Sequence, residues 1–451
     1  MKDLQILQKA LDKLKEGFDS FPDSFNKENS AKIEEILMKV AERMQDNYPY
    51  FQPQYAGQML KPPHAIARLA YMLALYINPN NHALDGGRAS SGMEKEAVAG
   101  IAKMFGWTEH LGHLTGGGTM ANTEALWIAG KYHPGKKVVA SEFAHYTHER
   151  ISAILGLPFE KAGCDSYGRM DPVKLETILL KGDVGTVVVT TGTTGTGSVD
   201  PLTDIIELQK HYHFRIHVDA AYGGYFILAD NLGEYATSQL LAVSKADSLV
   251  IDPQKHGLQP YGCGCVLFKV PGVGKFYKHD SPYTYFTSDD LHLGEISLEC
   301  SRAGASAVGL WATMEMFQLE RGGEFAKNLE RSHKAALILH DKIKADDRFI
   351  SVMEPEMDIV VWAPNGSSLS QISKRSSELF HEAARKNIHL ALINYPKRLL
   401  NDNWHQVAKD QEHVTCLRSC LMKPEHLDIV DEIWETLKTG VFQLSIPLLF
   451  D

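Results

Sequence analysis

Lys255 and Asp219 stand thirty-six positions apart in settings that suit joint chemistry. Asp219 closes the apolar run Ile216-His-Val-Asp219, and Lys255 follows Leu249-Val-Ile-Asp252 in a turn bracketed by Pro253 and Gly257. Both runs read as short buried strands, and Cys263-Gly-Cys-Val-Leu-Phe268 reads as a third. A lysine wedged between core strands is costly to bury unless it is neutralised or bonded. An amine beside a carboxylate suits pyridoxal phosphate. The amine condenses with the aldehyde as a Schiff base, and the carboxylate keeps the pyridine nitrogen protonated. Alternation along the strand puts His217, Asp219 and Ala221 on one face, where a small alanine leaves room for a flat ring. The structural alternatives are a solvated surface charge for Lys255 and a turn cap for Asp219.

A third element has to hold a phosphate. Leu114-Thr-Gly-Gly-Gly-Thr-Met-Ala-Asn122 leads into the apolar Thr123-Glu-Ala-Leu-Trp-Ile-Ala129, which reads as a glycine loop opening a helix. A helix N-terminus offers unpaired N–H groups and the positive end of the dipole, and Thr119 adds a hydroxyl. The run has neither the glycine spacing of a dinucleotide fingerprint nor the Gly-Lys-Ser/Thr end of a P-loop, and Gly272-Val-Gly-Lys275 continues into Phe276, so it is no P-loop either.

These pieces, in this order, resemble the fold-type I pyridoxal phosphate enzymes and more closely the group II amino acid decarboxylases, from about residue 58 to 437. Four segments carry the resemblance: Thr115-Gly-Gly-Gly-Thr-Met-Ala-Asn122, Ser141-Glu-Phe-Ala-His145-Tyr-Thr, His217-Val-Asp-Ala-Ala221 and Asp252-Pro-Gln-Lys255. Ser91-Gly-Met-Glu-Lys-Glu-Ala-Val98, Thr190-Thr-Gly-Thr-Thr-Gly-Thr-Gly-Ser-Val-Asp200 and Leu417-Arg-Ser-Cys-Leu-Met-Lys-Pro424 are similar to further family segments.

The resemblance implies an α/β fold, with a large domain built on a mainly parallel seven-stranded sheet and a smaller α+β C-terminal domain. It implies decarboxylation of an L-amino acid through an external aldimine and a quinonoid, in a homodimer with its active site at the subunit interface. Lys255 would carry the cofactor, Asp219 pair with the pyridinium, and His145 stack on the ring. Gly118, Thr119, Ala121 and Asn122 would anchor the phosphate with Gln254, while Thr193 and Ala221 lie near the ring. Tyr283, with Tyr285 and His292 as alternatives, would protonate Cα; Ser288 or Thr287 would reach the neighbouring subunit's phosphate.

Two departures stand out. Gln254 occupies the position where the family usually has histidine, and an amide can donate to phosphate but cannot take up a proton. Ala303-Gly-Ala-Ser306 replaces residues that are often charged, and is similar to the lyases that cleave phosphorylated sphingoid bases. A carbon–carbon lyase or an aminotransferase therefore stays open, the latter needing an arginine such as Arg418 on the substrate carboxylate. A non-catalytic cofactor-binding homologue is the third reading.

The chain has 451 residues, room for a large core, with 46 basic and 56 acidic residues and a net charge of −10, which does not suit a nucleic-acid surface. Six cysteines show no secreted disulfide framework. Neither an apolar leader nor a membrane span is read, and the expected location is cytoplasmic. No metal site is expected: Cys263 and Cys265 point together into a core, and His211 and His213 lie apart from His217 at a helix end and its loop.

Residues 1–60 read as helices and an extended arm, 61–318 as the cofactor domain and 319–451 as a small domain. Leu4, Leu7, Leu11 and Leu14 make an apolar helix face expected to pack on a partner subunit. For the substrate, Lys61 or Arg88 would pair with an acidic side chain, while Tyr55 and Phe51 suit an aromatic one, so an acidic or aromatic L-amino acid is expected.

Overall fold

The computed structural model describes residues 2–19, 27–83, 86–278 and 293–444. Its centre is a seven-stranded sheet of β1 (Leu111–Thr115), β2 (Lys137–Ser141), β3 (Phe159–Ala162), β4 (Val184–Thr190), β5 (Arg215–Asp219), β6 (Ser248–Ile251) and β7 (Gly264–Phe268). Their spatial order is β1-β7-β6-β5-β4-β2-β3, and β7 alone runs antiparallel to its neighbours. The mainly parallel seven-stranded sheet expected from the sequence is what forms.

Valine-rich runs make these strands because both faces are covered. Val139, Val187, Val218 and Leu249 enter one core cluster, while their neighbours Val138, Ala140 and Val188 pack on the opposite face with Leu126 and Ile151. Asp219 follows Val218 and so faces the other way, toward the layer where Ala121 and Ala125 of the helix Gly118–Tyr132 pack with Ala221 and Val250.

A second, antiparallel sheet holds β8 (Phe349–Ser351), β9 (Ile359–Pro364), β10 (Ala391–Pro396) and β11 (His413–Cys420), ordered β10-β11-β9-β8. The strand expected from His389 begins two residues later, because His389 is engaged elsewhere. Its carbonyl accepts from Ala56 of the extended arm (2.8 Å), whose own carbonyl accepts from Cys420 (2.7 Å). Lys423 fastens the same arm by donating to the carbonyls of Gln52 (2.9 Å) and Tyr55 (2.7 Å).

The first helix, Lys2–Lys15, buries Leu7 and Leu11, and it contacts the chain's own helix Ala65–Leu75, with Asp3 ion-paired to Arg68 at 2.8 Å. Leu4 stays exposed. The expected partner-facing leucine stripe is thus half covered within the chain. Among the described residues no helix is long and apolar enough to cross a membrane.

Candidate active site

Parallel strands deliver their C-terminal ends to one edge, and in open α/β sheets ligands bind there. Thr190 ends β4, Asp219 ends β5 and Asp252 follows β6. Opposite them the helix Gly118–Tyr132 begins, and a cavity of about 500 Å³ lies between. Lys255, Asp219, His145, Ala221, Gln254 and Asn122 all line it, together with Gly118 and Thr119. The structure therefore brings together most of the residues singled out by sequence.

Asp219 is buried, and its Oδ2 accepts from His148 Nε2 at 2.8 Å. Asn122 Nδ2 lies 3.5 Å from the same oxygen, and the Ala221 N–H donates to Oδ1 at 3.2 Å. Burial alone would raise this carboxyl, but the hydrogen bond and charge of His148, helped by Lys255 and His217, outweigh it and hold Asp219 well below the usual carboxylate range. An ionised carboxylate at this site is what a protonated pyridine nitrogen requires.

The lysine turn is built from its own backbone, with the Lys255 N–H donating to the Asp252 carbonyl (2.9 Å) and the Gln254 N–H to Cys263 (3.1 Å). Lys255 Nζ sits 3.2 Å from Asp252 Oδ2, the partner that offsets its burial. Burial raises the Asp252 carboxyl, and Lys255 only partly compensates. Gln254 turns its Oε1 to the N–H groups of Gly262 (2.9 Å) and Cys263 (3.1 Å). That leaves its NH₂ facing the glycine loop, where a Cβ on Gly117 would lie 3.4 Å from Nε2.

The loop needs its glycines. Gly117 has φ +140°, a region that side chains rarely adopt, and a Cβ on Gly118 would stand 2.6 Å from an Asp252 oxygen. The first-turn N–H groups of Gly118, Thr119 and Met120 have no carbonyl ahead of them in the helix. Thr190 Oγ1 and Asp252 Oδ1, both buried on residues that line the cavity, have no hydrogen-bond partner. Free donors at a glycine cradle, an ionised aspartate and a lysine across one cavity fit pyridoxal phosphate.

His145 lines the cavity with Nδ1 hydrogen-bonded to Thr147 Oγ1 at 2.7 Å, and burial lowers its pKa, with Lys255 and His148 adding to the fall and Asp219 opposing it.

Four sequence assignments need correction. Thr193 does not line the cavity: its hydroxyl is tied to Thr196 Oγ1 (2.7 Å) and to the Ser198 N–H (3.2 Å), and Thr190, Gly192 and Thr194 are the residues of this region that do. Ala121 is fully buried and its N–H already donates to the Gly117 carbonyl (3.1 Å), so it has no donor left for a phosphate. Asn122 is turned to Asp219 rather than to the glycine loop, its Oδ1 accepting from His217 Nε2 at 2.8 Å and its Nδ2 3.5 Å from Asp219 Oδ2. Arg418 does not reach the cavity either; its guanidinium is directed at Cys420 Sγ (3.2 and 3.3 Å). Tyr283, Ser288 and their alternatives Tyr285, Thr287 and His292 lie outside the described residues.

Sequence reasoning missed His148, Thr190, Asp252 as the lysine's partner, and Glu299. His148 had a local signal, being three residues after His145 and so close to it at the start of the helix Thr147–Ile154. Glu299, which accepts from the Gly116 N–H at 2.9 Å, had none.

Residues 134–363 match the family described as the pyridoxal-dependent decarboxylase conserved domain, about half of the chain. This chain belongs to that family, and pyridoxal phosphate is its cofactor. It is 26% identical over 333 residues to a probable L-tyrosine/L-aspartate decarboxylase of Methanothermobacter thermautotrophicus, covering 73% of this chain and 88% of that protein. It is 27% identical to the L-aspartate decarboxylase of Thermococcus kodakarensis, covering 74% and 85%. A crystal structure of Oryza sativa TDC with PLP and tryptamine shares the fold at a TM-score of 0.79 and 16% identity, covering 96% of this chain and 92% of that one.

Proposed function

We propose that this chain removes the α-carboxylate of an L-amino acid as carbon dioxide, with Lys255 carrying the cofactor and Asp219 holding its ring nitrogen protonated. The observation that carries this reading is the buried His148–Asp219 hydrogen bond, which fixes an anion across one cavity from Lys255 Nζ. When bound, pyridoxal phosphate supplies an electron sink for the pair released as the Cα–carboxylate bond breaks. The N–H groups of Gly118, Thr119 and Met120, the Thr119 hydroxyl and the Gln254 NH₂ would hold the phosphate. His145, which lines the same cavity, would lie against the ring. Lys255 would anchor the cofactor's aldehyde carbon, with Asp252 as its ion-pair partner at 3.2 Å.

A homodimer fits the surface of the helix Lys27–Met44, where Ile36, Leu37, Val40 and Met44 are all exposed on the single chain.

The test is the visible absorbance of purified protein with and without Lys255→Ala, combined with carbon dioxide release from a panel of L-amino acids. A visible band lost in the variant, with carbon dioxide from at least one substrate, is expected. A band without carbon dioxide would move the chemistry to carbon–carbon cleavage or transamination. No band after adding pyridoxal phosphate would refute the cofactor role of Lys255.

A further inference from the structure

We infer that Glu299 sets the substrate class by receiving the cationic side chain of a basic L-amino acid. The inference rests on the decarboxylase reading above and concerns the same cavity.

The charges that line this cavity do not balance. Asp219, Asp252 and Glu299 are acidic, and Lys255 is the one ammonium or guanidinium among the described lining residues. Two of the carboxylates have an assigned partner. Asp219 is bonded to His148 and answers the cofactor's ring nitrogen, and Asp252 stands 3.2 Å from Lys255 Nζ. Glu299 has a backbone N–H, from Gly116 at 2.9 Å, and no ion pair among the described residues. A carboxylate satisfied by one neutral donor still favours a cation in a partly desolvated site.

Its position sharpens the case. Gly116 is two residues before Gly118, where the phosphate-binding turn begins, so at most about 7 Å of chain separates the two sites. With cofactor in place, a phosphate and a carboxylate bear on one glycine loop, and like charges that close repel. A cation lying between them relieves both. The substrate brings one to hand: its amine replaces Lys255, and an ammonium a few carbons along its side chain reaches toward the phosphate end.

An acidic side chain finds the opposite. Lys61 lines a separate cavity, with Nζ on the Met422 carbonyl at 3.2 Å, and Arg88 is exposed on its helix. The acidic substrate expected from those two residues therefore finds, among the described lining residues, no cation other than Lys255, which is given to the cofactor. An aromatic side chain would cover the half-buried Glu299 without pairing it, and taking a carboxylate with one neutral donor further out of water is costly.

The experiment compares kcat/KM for L-2,4-diaminobutyrate, L-ornithine and L-lysine with that for the neutral L-norvaline and L-norleucine, and for L-tyrosine and L-aspartate. Glu299→Gln is run beside the native enzyme. A preference of at least about tenfold for one basic substrate over its neutral counterpart is expected, and its collapse in E299Q. A second readout needs no turnover: 1,4-diaminobutane should perturb the visible band at lower concentration than n-butylamine, and E299Q should erase that difference.

Preference for L-tyrosine or L-aspartate in the native enzyme would overturn the assignment whatever the variant does. So would an E299Q that slows every substrate equally while loosening the cofactor, since Glu299 would then only brace Gly116. Selective diamine binding without carbon dioxide from any substrate would refute the decarboxylase reading and leave the cation site standing.

Discussion

Replacing His148 by phenylalanine removes the 2.8 Å hydrogen bond to Asp219 while keeping a ring of similar size. Both side chains are buried, at 0% and 6% exposure, so water does not substitute for the lost donor. A hydrogen bond to a charged group is worth about 1.5–3 kcal/mol. At about 1.4 kcal/mol per pKa unit, the Asp219 carboxyl should rise by roughly one to two units, with a matching loss of support for the ring proton. Carried into the transition state, that predicts kcat lower by about 10- to 100-fold. KM for substrate should change little, because His148 touches Asp219 and not the substrate. The assay is steady-state kinetics at saturating cofactor, after confirming that the Lys255 band forms. His148→Gln retains an N–H donor and should recover most of the rate. A folded, cofactor-loaded H148F with native kcat would refute the idea that this histidine holds the ring's counter-ion.

Further consequences follow from the same geometry. His217 is buried between Asn122 and Ser248, and burial depresses it from its ordinary 6.5 to about 3. Because burial makes the folded ring resist the proton that the unfolded chain takes up below about pH 6.5, stability should fall by up to about 5 kcal/mol as pH drops from about 6.5 to 3; His217→Asn should flatten that limb in denaturant titrations. Gln254→Ala removes the donor facing the phosphate loop and orphans two N–H groups, and should weaken cofactor affinity about tenfold in absorbance titrations; an unchanged Kd would refute its phosphate role. Gly118→Ala forces a Cβ against both Asp252 oxygens, at 2.6 and 2.7 Å, so the variant should bind cofactor poorly and form the Lys255 band slowly; a native band would show that Asp252 moves freely.

What the sequence made legible was local. Strand alternation placed Asp219 at an edge and Val218 in the core, the bracketing Pro253 and Gly257 marked the lysine turn, and three glycines before an apolar stretch marked a helix start. Each of these needs only neighbours in the chain. The misses involve partners set by sheet order. His148 meets Asp219 across 71 positions, and Glu299 meets Gly116 across 183, because crossover helices bring β2, β5 and the loop after β1 to one edge. Thr193 failed for a different reason: its loop satisfies its own hydroxyls, and local side-chain bonds among Thr193, Thr196 and Ser198 turn the threonine away from the cavity. Spacing along a loop does not reveal which of several threonines keeps a free hydroxyl. Thr190 does.

The two aspartates of the cavity show how the fold assigns roles that residue type cannot. Both are buried, and burial pushes each carboxyl up. Asp219 has an imidazole N–H at 2.8 Å and a backbone N–H at 3.2 Å, and these donors with the nearby charges bring it down. Asp252 has Lys255 Nζ at 3.2 Å on one oxygen, no partner on the other, and the negative charge of Asp219 nearby, and it stays up. Environments that drive two like groups apart separate a permanent anion from a group able to exchange a proton. Asp219 is thereby suited to a fixed counter-ion, a task that tolerates no protonation. Asp252 is suited to stand beside the lysine, whose Nζ is its ion-pair partner at 3.2 Å.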